Sequence, residues 1–233
     1  MAARNIVTSR RVFLLGMGGL TLMPFSQAAT AATGLANILA RASDSALDQL
    51  AQPDAFYNDE AIRISFPIVG DLGDKLGNLS DLTSGLLGGS KKSDLLGGIT
   101  RKLNDVAVVA AGEAKPIFRD SINGLSLSDA PDIISEKDGA TQYLRSSSSE
   151  TLQNKLRPLV DNSMNDIGVY EELDQLSQKN NIIERAGITN DSLGESVTEQ
   201  ALNGIFTYIG NEEANFRANP LENANKLLDG FFK

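Results

Sequence analysis

The chain has 233 residues, 30 acidic against 21 basic, and contains neither histidine nor cysteine. It therefore lacks the commonest general base and the usual donors for zinc, iron–sulfur and haem centres, so no metal site, cofactor or catalytic residue is expected. The acidic balance repels phosphate backbones and anionic bilayers, and basic residues occur only singly or in pairs such as Lys91–Lys92 and Arg101–Lys102, which argues against nucleic-acid binding.

The first stretch carries Arg4, Arg10 and Arg11 and no acidic residue, then an apolar run from Val12 to Phe25 and the small-residue tract ending Ala29-Thr30-Ala31. A positive start, a short apolar middle and an A-x-A end make an export signal over residues 1–31. The apolar run falls short of the roughly 20 residues that span a bilayer, and glycines interrupt it, so no membrane anchor is expected to persist once the signal is removed. Ser9, Arg10, Arg11, Phe13 and Leu14 match the specified positions of the twin-arginine export motif. That resemblance implies passage of a folded protein across a bacterial inner membrane. The expected destination is the periplasm.

All 30 acidic residues follow the leader, and three of the 21 basic ones belong to it, so the remainder has a net charge of −12. Residues 32–233 are enough for one domain with a substantial core, stabilised by burial without disulfides.

Most of that stretch has helical periodicity. Leu35, Ile38, Leu39, Ala42, Ala46, Leu47 and Leu50 form one apolar face, and Pro53 stops it. Ile62, Ile64 and Phe66 then alternate with Arg63 and Ser65, which predicts an extended connector near residues 61–67, laid against helices in the absence of a partner strand. Leucines from 72 to 86 and again from Leu95 predict a helical hairpin with its tip near Gly88 to Lys92. Pro116 opens a further helix carrying Phe118 and Ile122, and Ser128 or Asp129 is placed to cap a short one. Ser149 is expected to cap a longer helix with Leu152, Leu156, Val160 and Met164. Tyr170, Leu173 and Leu176, then Val197 to Ile209, then Leu227 to Phe232 supply the rest. Seven to nine helices and no sheet predict an all-α single domain.

The segments "ALDQLAQPDAFYNDEAIRISFP", "AKPIFRDSI", "DGATQYLR", "VTEQALNGIF" and "ANFRANP" occur in the order seen in a family of exported bacterial proteins, domain of unknown function 4197. The resemblance runs from about Leu35 to the C-terminus. It implies an exported, mainly helical protein and supplies no activity. The chain departs from the family pattern between Gly70 and Leu96, and at Leu144, where an aromatic residue is usual.

Arg63, Thr141, Tyr143, Arg145 and Glu199 are the candidate site residues. Thr141 and Arg145 are four apart and share a helical face, and an arginine beside hydroxyls can grip a carboxylate or phosphate. The expected role is nonetheless structural: Arg145 pairs with a carboxylate such as Glu199 and is buried, Tyr143 packs, and Arg63 clamps helix C-terminal carbonyls or a carboxylate. Carboxylate pairs such as Glu195 and Glu199 lack a calcium-loop pattern, and no G-x-S-x-G is present. The reading is an exported periplasmic helical domain that binds a partner protein or a small anionic ligand. The alternative is a hydrolase built from carboxylates and hydroxyls.

Overall fold

The predicted apolar stripes close on one another as seven helices with no strand among the described residues. The computed structural model describes residues 25–67, 90–126, 136–179, 183 and 187–219. The export motif at Ser9 to Leu14, the first arm of the expected hairpin, the short helix after Ser128 and the terminal Phe231–Phe232 lie outside them.

Helix α1 (Phe25–Leu50) presents Leu39, Ala42, Ala46, Leu47 and Leu50 as a continuous buried stripe. The expected processing point at Ala31 falls within its first turns. After Pro53 the chain turns sharply at Asp54, whose φ of 63° is left-handed. A short polar side chain tolerates that conformation better than most. One helical turn follows, α2 (Ala55–Asn58), which the periodicity does not announce; it drops Phe56 into the core.

The connector comes next. Ile62, Ile64 and Phe66 are buried while Ser65 is exposed and Arg63 half-buried, the alternation of an extended segment lying on a helical surface.

Helix α3 (Ser90–Glu113) buries Ile99, Leu103, Val106 and Ala110. Its start at Ser90 takes in Lys91 and Lys92, which the sequence pattern placed at a hairpin tip. Helix α4 (Lys115–Asn123) opens with Pro116 in its first turn, where the missing N–H costs no hydrogen bond. Helix α5 (Gly139–Asp166) is a single 28-residue helix running through the serine tract, so Ser149 is not its cap. Ser149 Oγ instead donates to Arg145 O at 2.5 Å, and Ser146 Oγ to Tyr143 O at 3.0 Å. Serines that bond back to the preceding turn need no break in the helix.

Helices α6 (Val169–Lys179) and α7 (Asn190–Ala218) complete the described set. The 29-residue α7 starts on a capping box: Thr189 Oγ1 accepts from Ser192 N, and Ser192 Oγ accepts from Thr189 N. It packs most extensively on α1 and α5. A Cβ at Gly204 would stand 3.0 Å from Phe56 Cε1 and 3.2 Å from Ile62 Cβ, so this glycine lets α2 and the connector lie close on α7. Phe118 and Phe206 meet edge to face, centroids 6.1 Å apart at 71°, an arrangement worth about 0.5–1.5 kcal/mol beyond burial. Leu144 is fully buried in the core.

Candidate functional site

The connector needs partners for its backbone, since a buried amide without one costs more than a hydrogen bond returns. No strand among the described residues supplies them. Two side-chain amides do. Asn104 on α3 accepts from Ile64 N through Oδ1 and donates to Ile64 O through Nδ2, both at 2.9 Å. Gln200 on α7 repeats the arrangement one residue on, accepting from Ser65 N at 2.9 Å and donating to Ser65 O at 3.1 Å. Each amide thus occupies the place of a neighbouring strand, and the connector is fixed against α3 and α7.

Beside this clamp the connector and α7 enclose an open hollow of about 270 Å³, lined by Ser65, Phe66, Pro67, Ser196, Glu199, Gln200 and Asn203. Its spacing follows from the helix: Ser196, Glu199, Gln200 and Asn203 lie three and four apart and so share the face turned to the connector. Gln200 Nε2 also donates to Ser196 Oγ at 3.1 Å, which fixes that wall. Arg145, on α5, donates from Nη2 to Asn203 Oδ1 at 2.5 Å, and its guanidinium lies 5.5 Å from the centroid of Phe206.

The structure distributes the five candidate residues. Glu199 and Asn203 line the hollow and Arg145 does not; the residue that holds Arg145 is the neutral amide of Asn203, and no ion pair joins it to Glu199. Arg145 is exposed rather than buried, because the aromatic face of Phe206 and the amide hold it at the surface of α7. Thr141 is buried and donates its hydroxyl to Glu213 at 2.6 Å. Tyr143 is half-buried against the core. Arg63 donates through Nε to the carbonyl of Tyr57, in α2, and its guanidinium and that of Arg101 lie 5.2 and 4.8 Å from the Tyr57 ring centroid. No hydrogen bond or ion pair carries Arg63 to Tyr143 or Arg145.

Two polar centres escape the sequence reading. Glu213 on α7 is fully buried and caps the start of α5, accepting from Ala140 N at 3.1 Å and Thr141 N at 2.7 Å, with Arg217 paired to it at 2.6 Å. A carboxylate at a helix N-terminus answers both the free amides and the macrodipole. The signal was available: Glu213 continues the buried stripe of Phe206 and Ile209 at seven- and four-residue spacing. In the second centre, Asp161 accepts from Tyr170 Oη at 2.5 Å and from Arg157 Nε at 2.8 Å, while Arg157 Nη2 reaches Asp191 at 2.8 Å. Burial, and then the bond to Asp161, push the Tyr170 phenol well above its ordinary pKa. The backbone of Gly194 closes this centre, since a Cβ there would meet Tyr170 Oη at 2.5 Å.

Among the described residues no group of three or more acidic side chains could hold a metal ion, and no helix is long and apolar enough to cross a membrane. The class defined so far is an all-α domain with a connector clamped by side-chain amides. The chain matches the family described as protein of unknown function (DUF4197) over residues 26–233, and it belongs to that family. No curated protein and no solved structure matches it.

Proposed function

We propose that this chain is an exported periplasmic domain whose work is binding, and that a small ligand sits in the hollow between the connector and α7. The observation that carries the reading is the construction of its wall. Gln200 has both ends of its amide engaged, with Ser65 and Ser196, so the groups facing the hollow are held before any ligand arrives. Pre-set polar groups around a concavity are the usual make-up of a binding site. Hydrolysis by two carboxylates would need a second one across from Glu199, and the lining offers serines and amides there. The leader supports export: positive, then apolar, then small residues, with the twin-arginine pattern at Ser9 to Leu14.

The test is a fragment screen by amide NMR on the full chain. Binding should shift the signals of Ser65, Ser196, Gln200 and Asn203, and Ser196→Trp, which fills the hollow, should abolish the shifts. Fragments that move only distant signals, or shifts that persist in Ser196→Trp, would refute the assignment.

A further inference from the structure

The dipeptide Asn-Gly occurs twice, at 123–124 and 203–204, and the fold treats the two differently. Asparagine followed by glycine is the pairing best able to cyclise, because no Cβ on the second residue shields its backbone nitrogen. That nitrogen attacks the asparagine Cγ, a C–N bond forms, and the side-chain nitrogen leaves as ammonia. Water then opens the five-membered imide at either carbonyl, giving aspartate or isoaspartate. Ring closure needs a free side-chain amide and rotation of the asparagine ψ away from the helical value of about −42°. Asn203 has neither freedom. It lies in the interior of α7, its Oδ1 accepts from Arg145 Nη2 at 2.5 Å, and Gly204 is buried with Phe56 and Ile62 packed against it.

Asn123 has both. We propose that Asn123–Gly124 is a self-modification site, at which the folded chain converts its own asparagine to aspartate and isoaspartate. Asn123 is the last residue of α4, it and Gly124 are exposed, and no hydrogen bond holds the Asn123 side chain among the described residues. Past Asn123 the helix is closed by Gly124 N to Asp120 O at 3.2 Å and Leu125 N to Ile122 O at 3.1 Å. Such terminal bonds open locally at far lower cost than bonds inside a packed helix, and each opening frees the ψ of Asn123 and the nitrogen of Gly124. The product is not neutral for the fold. A carboxylate appears at the C-terminal end of α4, where the macrodipole disfavours an anion, and Asp120 stands one turn before it. Isoaspartate also routes the backbone through the side chain, adding a carbon just ahead of Leu125, which packs on the core. The modified chain is therefore less stable than its parent.

The experiment incubates the full chain at mildly alkaline pH, folded and in urea, and follows the two peptides by mass spectrometry for conversion of amide to acid. In urea both dipeptides should convert at similar rates. In the folded chain Asn123 should convert at least about tenfold faster than Asn203, a ratio that a difference of about 1.4 kcal/mol in local opening supplies. Gly124→Ala should slow conversion at Asn123 several-fold without lowering the melting temperature. Gly124 has a φ of −82°, and an added Cβ would meet Ser121 O at 3.5 Å and Asp120 O at 3.6 Å, both ordinary contacts. Asn123→Asp, which reproduces one product, should melt below the parent chain. Equal rates at the two positions in the folded chain would overturn the proposal, as would an Asn123 that stays amide when folded while it converts in urea. An unchanged rate in Gly124→Ala would also sink it, since the glycine nitrogen would not then be the attacking atom. A melting temperature of Asn123→Asp at or above the parent's would overturn the destabilisation.

Discussion

Asn104 holds Ile64 by both of its backbone polar groups, 2.9 Å to the nitrogen and 2.9 Å to the oxygen, with the ring of contacts completed by its bond to Thr100 O at 2.7 Å. One asparagine side chain therefore does for a buried residue what a β-ladder does for a strand. Gln200 does the same for Ser65, but at the surface. The pair provides an internal comparison of one chemistry at two burials.

Asn104→Ala leaves the Ile64 N–H and C=O buried without partners, at about 1–3 kcal/mol each. The expected loss is about 3 kcal/mol, or roughly 6–12 °C in a chain of this size. Gln200→Ala should cost about 1 kcal/mol or less, because water replaces the lost bonds at exposed Ser65. Denaturant titration of the two variants checks the ordering. Equal losses would mean that the connector is held by its apolar side chains, not by the amides.

Glu213 ties the far end of α7 to the start of α5. It is fully buried, it satisfies two helix-terminal amides and the Thr141 hydroxyl, and it pairs with Arg217. Glu213→Ala strands the two amides and the Thr141 hydroxyl and removes the ion pair to Arg217, and should cost about 3–5 kcal/mol. Glu213→Gln keeps one carbonyl acceptor and should cost less. Chemical unfolding of both variants at neutral pH measures the difference, and a Glu213→Ala loss under about 1 kcal/mol would show that water caps α5 instead.

The helices were legible because their burial is periodic: the stripe from Leu39 to Leu50 reads the same in the sequence and in the core. The connector was legible for the same reason, through the alternation of Ile62, Ile64 and Phe66. Its partners were not. Asn104 and Gln200 look like ordinary polar helix positions, and a bond from a side-chain amide to a backbone forty or more residues away leaves no local pattern. The serine tract misled in the opposite direction, since four serines suggest a break where back-bonding to carbonyls keeps α5 continuous. The partner of Arg145 was not legible: charge pointed to a carboxylate such as Glu199, and the structure supplies the neutral amide of Asn203 instead.

Export through the twin-arginine route depends on the guanidinium pair itself, so Arg10→Lys with Arg11→Lys preserves charge while removing the motif. The double variant should accumulate as precursor inside the cell. Fractionation followed by immunoblotting is the check, and normal periplasmic yield would refute the route.

The last prediction concerns pH and Tyr170. Burial first, and then donation to Asp161, favour the protonated phenol in the folded protein, so its folded pKa lies above the value near 10 of the unfolded chain. The sign follows. Below pH about 10 both states hold the proton and the contribution is complete; as pH rises towards the folded pKa, only the unfolded chain releases it and stability drains away. Tyr170→Phe removes that titration together with the hydrogen bond. The variant should lose about 1.5–3 kcal/mol at neutral pH, the worth of a bond to a charged acceptor, and should show a shallower decline above pH about 10. Some decline should remain, because Tyr208, raised by burial and by its bond to Asp59, titrates in the same direction. Urea unfolding of both proteins across pH 8 to 11 resolves the two slopes. Parallel curves would place the alkaline sensitivity elsewhere than at Tyr170.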